Sequence, residues 1–91
     1  MSLNEALQAI RNEKFSANKV NVAKQIISGR WMTSNHLLEV VKSFTFSNDK
    51  LEVAKFGYHH VIDPGNYFVV NGGFKFSNDK DQLHEYIMSQ R

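Results

Sequence analysis

The sequence contains no cysteine, a single proline, and no hydrophobic run that approaches the length of a membrane span. Without cysteine there is no disulfide framework, no thiolate zinc site and no cysteine nucleophile. A span needs roughly 18 consecutive apolar residues, and the N-terminus also lacks the basic-then-apolar layout of a secretory leader. The expected setting is therefore cytoplasmic. Runs of like charge are missing too: no two adjacent residues carry the same sign. Eleven Lys and Arg stand against nine Asp and Glu, a net charge of +2. With no basic tract, nucleic acid is a disfavoured partner. Residues 1–45 carry +3 and residues 46–91 carry −1. A weak contact with phosphate or a membrane surface through Arg11, Lys14, Lys19, Lys24 and Arg30 is the alternative this asymmetry allows. Scattered lysines, however, ordinarily form a solvated face.

What is present is an internal repeat. Phe44-Thr45-Phe46-Ser47-Asn48-Asp49-Lys50 recurs thirty residues later as Phe74-Lys75-Phe76-Ser77-Asn78-Asp79-Lys80. A weaker copy begins at Phe15, where Phe15-Ser16-Ala17-Asn18-Lys19-Val20 lies over Phe46-Ser47-Asn48-Asp49-Lys50-Leu51. A period of this length marks stacked supersecondary units. Each copy reads as a helix start. Ser16, Ser47 and Ser77 stand at the N-cap position. The preceding Phe, with Val20 or Leu51 beyond, offers a hydrophobic staple in the first two copies. Apolar residues then follow at helical spacing: Val20, Ala23, Ile27; Leu51, Ala54, Tyr58, Val61; Leu83, Tyr86, Ile87.

A second set of helices alternates with the first. Thr33 caps one carrying Leu37, Leu38, Val40 and Val41, and Ser2 with Glu5 forms a capping box before Ala6, Leu7 and Ile10. Thirty residues after Thr33 comes Asp63, followed by Pro64, the favoured first helical residue. The stretch Val61–Val70 reads by itself as a β-hairpin. The repeat register argues instead for a short helix at about 64–71, ended by Gly72-Gly73. The whole predicts one all-α domain over residues 1–91, with helices at 3–12, 16–28, 33–43, 47–61, 64–71 and 77–89. They would stack as helix-hairpin units, a miniature of an α-solenoid.

The ordered set Phe-x-Phe-Ser-x-Asp-Lys-Leu, Asp63-Pro64-x-Asn66-Tyr67 and a second Phe-x-Phe-Ser before a closing amphipathic helix resembles the domain of unknown function 4476 family. The segment Met32-Thr33-Ser34-Asn35-His36-Leu37-Leu38 looks like that family's threonine-capped helix. The resemblance runs from about Phe15 to Ile87. It implies a compact all-α domain of a kind found in bacterial and eukaryotic proteins, often at the end of longer chains. It brings no established activity, cofactor or catalytic residue.

Catalytic signatures are absent: there is no G-x-S-x-G elbow and no P-loop. His59, His60 and Asp63 form the most metal-like cluster, with His36 and His84 as distant further ligands. The two-histidine spacing that places imidazoles on one helical face is missing, and Asp63 reads more simply as a helix cap. Asp49 and Asp79 complement helix dipoles rather than forming a calcium loop. No enzyme activity, metal or cofactor is expected. Lys19, Lys50 and Lys80 occupy equivalent N3 positions, the wrong end of a helix for a cation. Either the ammonium reaches a carboxylate or carbonyl of the next unit, or three helix N-termini with three lysines bind an anion; the first is favoured. The aromatic residues, 12% of the chain, are expected mostly in the core. Helix 47–61 is apolar on more than one side, as a central helix would be. Trp31, outside the repeat register, is either a core plug or an exposed anchor for a protein partner. The expected function is a protein-interaction or accessory domain, with Trp31, Arg30, Lys19 and Lys24 as the candidate surface.

Overall fold

The computed structural model describes residues 2–90, which form six helices and no strand. These are α1 (Leu3–Asn12), α2 (Ser16–Ser28), α3 (Ser34–Lys42), α4 (Ser47–Tyr58), a 3-10 helix η1 (Pro64–Gly73) and α5 (Ser77–Ser89). Two starts follow the capping rules. The Ser2 hydroxyl oxygen accepts from the Glu5 amide and donates to the Glu5 carboxylate, and Thr33 accepts from the His36 amide. The buried stripes Ala6, Leu7, Ile10; Val20, Ala23, Ile27; and Leu37, Val40, Val41 keep helical spacing.

Helix α1 packs on α2 and α3, and α3 makes its most extensive contact with η1. Helix α4 lies between α2 and α5 and also touches α3 and η1. It buries Leu51, Val53, Ala54 and Gly57, which explains an apolar surface on more than one side. Tyr67 of η1 is buried against it and donates its hydroxyl to the Ala54 carbonyl. Burial pushes the pKa of that hydroxyl up.

The starts of α2, α4 and α5 differ from the sequence reading. Their caps are Phe15, Phe46 and Phe76, extended in backbone and without any side-chain capping bond, while Ser16, Ser47 and Ser77 are the first helical residues. The lysines thus stand fourth in their helices, not third. No staple forms, because the three phenylalanines are 70%, 63% and 63% exposed. The core position at each joint goes to the first phenylalanine of the Phe-x-Phe pair, Phe44 or Phe74, and the second turns outward. The aromatic side chains are therefore divided: Phe44, Tyr67 and Phe74 are buried, whereas Phe15, Trp31, Phe46, Phe68 and Phe76 are exposed.

Two further boundaries move. Helix α4 stops at Tyr58 because the chain beyond it pairs with the segment before α3. The Met32 amide donates to the His60 carbonyl, and the Ile62 amide donates to the Met32 carbonyl at 2.9 Å. The helix expected at about 64–71 has 3-10 geometry and runs through Gly72 and Gly73. Neither glycine has positive φ. A Cβ on Gly73 would sit 2.7 Å from Val41 Cγ1, so this glycine serves the close approach of η1 to α3.

Asp63 also acts differently from expectation. It gives η1 no side-chain cap. Its Oδ1 instead accepts from the Ser34 amide at 2.7 Å and lies 3.0 Å from the buried Ser34 hydroxyl. Asp63 thus satisfies an otherwise orphaned amide at the start of α3, 29 residues earlier in the chain. Desolvation works to raise the carboxyl's pKa, but the Ser34 amide and hydroxyl together with Asn66 outweigh it, and the net shift is below the ordinary 3.8. A carboxyl depressed on folding contributes stability that is complete above its unfolded value and is lost as pH falls through its folded value. Wild type should therefore lose stability relative to Asp63→Asn as pH drops below 3.8. Urea titrations between about pH 6 and 2.5 measure this; parallel pH profiles for the two proteins would refute it.

Candidate functional site

The strongest candidate lies where α2 hands over to α3. The Met32 side chain is buried and its backbone is bonded on both sides to the His60–Ile62 segment. In an extended stretch adjacent side chains point to opposite faces. Fixing Met32 inward therefore turns Trp31 outward, and its indole is 75% exposed. Ile62, from the paired segment, is exposed at the same joint. Of the two readings the sequence allowed for Trp31, the structure excludes the core plug.

A groove of about 260 Å³ opens beside the indole, lined by Ser28, Gly29, Arg30, Trp31, His59 and His60. Its far wall is held by rings. His59 Nε2 lies 2.7 Å from the Tyr86 hydroxyl, and the His60 ring stacks on Phe56 with centroids 4.8 Å apart. His60 Nδ1 is enclosed and has no hydrogen-bond partner. The groove thus combines a large apolar plate, a guanidinium and two imidazoles. It suits a ligand that offers an apolar group and hydrogen-bond acceptors.

Of the four residues expected to share a surface, Arg30 and Trp31 come together and the lysines stand apart. Lys24 Nζ pairs with Glu52 Oε2 at 2.6 Å, joining α2 to α4, and lies 5.5 Å from the Phe56 ring centroid. Lys19 Nζ donates to the Ser43 carbonyl at 2.9 Å and sits over the Phe44 ring. Lys50 repeats the arrangement one period later, donating to the Gly73 carbonyl at 2.8 Å. Each of these two ammoniums satisfies a carbonyl at the end of the helix that follows its own, α3 or η1, which accounts for a cation in a first turn. For Lys80 no such bond is found among the described residues. Lys50→Met should cost about 1 kcal/mol in urea unfolding, the usual worth of a hydrogen bond; unchanged stability would remove the structural role.

The histidine cluster is dispersed. Asp63 is engaged by Ser34 and His59 faces Tyr86. Among the described residues no group of three or more His, Cys, Asp or Glu is placed to hold a metal ion. Likewise no described helix is long and apolar enough to cross a membrane. Sequence reasoning missed the exposure of Phe15, Phe46, Phe76, Ile62 and Phe68. A signal for the first three was available, because they occupy one equivalent position of the repeat.

Neither a curated protein nor a solved structure matches the chain. The family model described as Domain of unknown function (DUF4476) matches residues 1–87. That span takes in both Phe-x-Phe joints, the Asp63-Pro64 turn and the Trp31 groove, and on it the chain belongs to the DUF4476 family.

Proposed function

We propose that this is a non-catalytic protein-interaction domain, a short stack of helix pairs that engages its partner through the Trp31 face. The observation carrying this reading is the exposure of the Trp31 indole on a backbone fixed by Met32. Tryptophan and arginine are the residues most enriched among interface positions that dominate binding energy. Here both border one groove, with exposed Ile62 at the same joint. The stack itself is supported by the order of neighbours: α1, α3 and η1 touch in sequence, as do α2, α4 and α5.

The test is affinity capture with wild type and Trp31→Ala side by side. The variant should keep its helical circular dichroism and its melting temperature, because the side chain it loses is exposed. It should fail to retain proteins held by the wild type, with affinity reduced about tenfold or more. Since Trp31 is the only tryptophan, a purified partner should also shift its emission to the blue. Equal retention by both proteins, or unfolding of the variant, would overturn the proposal.

A further inference from the structure

The pair η1 and α5 carries a second surface, which goes beyond the Trp31 reading and shares no lining residue with its groove. The thirty-residue register of the sequence carries over to burial. Leu37 and Tyr67, Val40 and Val70, Phe44 and Phe74, and Val53 and Leu83 are all buried, while Phe46 and Phe76 are equally exposed. Positions of α3 and α4 can therefore be matched to positions of η1 and α5.

The α3–α4 pair is covered by η1, which packs on both of its helices. Leu38 Cδ1 and Val41 Cγ1 lie 3.5 and 2.7 Å from the place that a Cβ on Gly73 would take. On the α4 side Tyr67 stands edge-on to Tyr58, with ring centroids 5.2 Å apart, and its hydroxyl donates to the Ala54 carbonyl. Leu38, Val41, Ala54 and Tyr58 thus receive η1, and Tyr67 is the buried ring at the joint.

Thirty residues later these four positions are Phe68, Asn71, His84 and Met88. All four line one groove of about 160 Å³, together with Tyr67 and Ile87. The groove is open. Helix α1 touches α2 and α3 touches α4, but η1 and α5 make no contact of that extent. Phe68 is 68% and Met88 51% exposed, where their counterparts Leu38 and Tyr58 are half-buried.

Size and lining define the occupant. A hollow of about 150 Å³ holds a benzene ring, whereas small-molecule pockets run to roughly 300–1,000 Å³. No Lys, Arg, Asp or Glu lines the groove, so an ionic group finds no partner there. Asn71 and His84 replace Val41 and Ala54 and make its border polar, which suits an amphipathic helix laid into a groove. The chain's own first helix does not offer the ring. Counted from the caps Ser2 and Asp63, Ala6 stands in α1 where η1 has Tyr67. The exposed residues of α1 include Asn4, Glu5, Gln8 and Arg11 and no aromatic.

We infer that the groove between η1 and α5 binds an amphipathic helix of a partner protein, which lays a tyrosine or phenylalanine ring against Phe68, Ile87 and Met88 as η1 lays Tyr67 against α4. Selection of the intact chain against a display library of helical peptides tests this. The peptides have about 16 residues, enough to hold a helix, and are randomised on one face. Fluorescence polarisation of labelled peptides from the enriched pool follows. Enriched helices should share Tyr or Phe at one position, and its replacement by Ala should weaken binding about tenfold or more. Phe68→Ala should weaken binding about tenfold and Met88→Ala severalfold. Both side chains are exposed, so circular dichroism should be unchanged, and Met88→Ala carries the test if Phe68→Ala unfolds. Trp31→Ala should leave binding as it is, so the two surfaces fail separately. Absence of enrichment, enriched helices without a shared aromatic, or binding indifferent to Phe68 and Met88 overturns the inference. So does a dimer of the protein alone in sedimentation velocity that Phe68→Ala dissociates, which assigns the groove to a second copy.

Discussion

Gly57→Ala lowers stability by about 1–3 kcal/mol, although alanine is the better helix former. Gly57 faces α3 across the contact with α4, where Leu37 is fully buried. A Cβ built on Gly57 collides with Leu37 Cδ2 and lies 2.9 Å from its Cγ and 3.0 Å from its Cδ1. Interiors pack too densely for the leucine to swing aside freely. Helix propensity alone would make alanine stabilising by about 0.5–1 kcal/mol, so the sign of the change separates the two effects. Urea unfolding gives that sign. Leu37→Ala by itself should cost about 2–5 kcal/mol. The double variant should cost less than the sum, because each change relieves the other. A stabilised Gly57→Ala protein would show that α3 and α4 are not in steric contact at this glycine.

Leu83→Ala is the second large effect, about 2–5 kcal/mol, and it should be local in character. Helix α5 spans thirteen residues, yet Leu83 is the one apolar side chain it fully buries. Tyr86 and Ile87 are half-buried, and the helix docks chiefly on α4. Removing the leucine takes away most of the apolar burial that holds α5. Amide hydrogen exchange should show α5 losing protection first, while α3 and η1, which share the most extensive contact in the fold, keep theirs. Uniform loss of protection across all helices would instead make α5 an integral part of one cooperative unit.

Much of this architecture is legible in the sequence. The helix class, the number of helices, the capping box at Ser2, the Thr33 cap and the proline start of η1 all follow from local chemistry acting within one turn. The errors share a physical cause. Helical periodicity ranks residues that lie on the helix, and Phe15, Phe46 and Phe76 lie just off it, so their extended backbone decides their exposure. Helix α4 stops early because of a bond to Met32, and Asp63 is claimed by Ser34. Both partners sit about a period away in sequence and leave no local trace. Gly72 and Gly73 carry the composition of a helix stop, yet the demand met at Gly73 is space for Val41. The Trp31 face was half visible. The odd position of Trp31 drew attention to it, but its exposure depends on Met32 being tied to a segment beyond α4.

The reach of the bonds that join the helices has a kinetic consequence. Lys19 meets Ser43, Lys24 meets Glu52, Ser34 meets Asp63, Lys50 meets Gly73 and His59 meets Tyr86, at separations between 23 and 29 residues. Tyr67 reaches back only 13 residues to Ala54. None of these bonds ties the first third of the chain to the last. Beyond these bonds the contacts of a helical domain are mostly local, and domains of that kind fold on the microsecond to millisecond scale, because little loop entropy is lost before contacts form. A chain wired in this way can also consolidate in order as it leaves the ribosome: α1 to α4 have their mutual partners before α5 has been made.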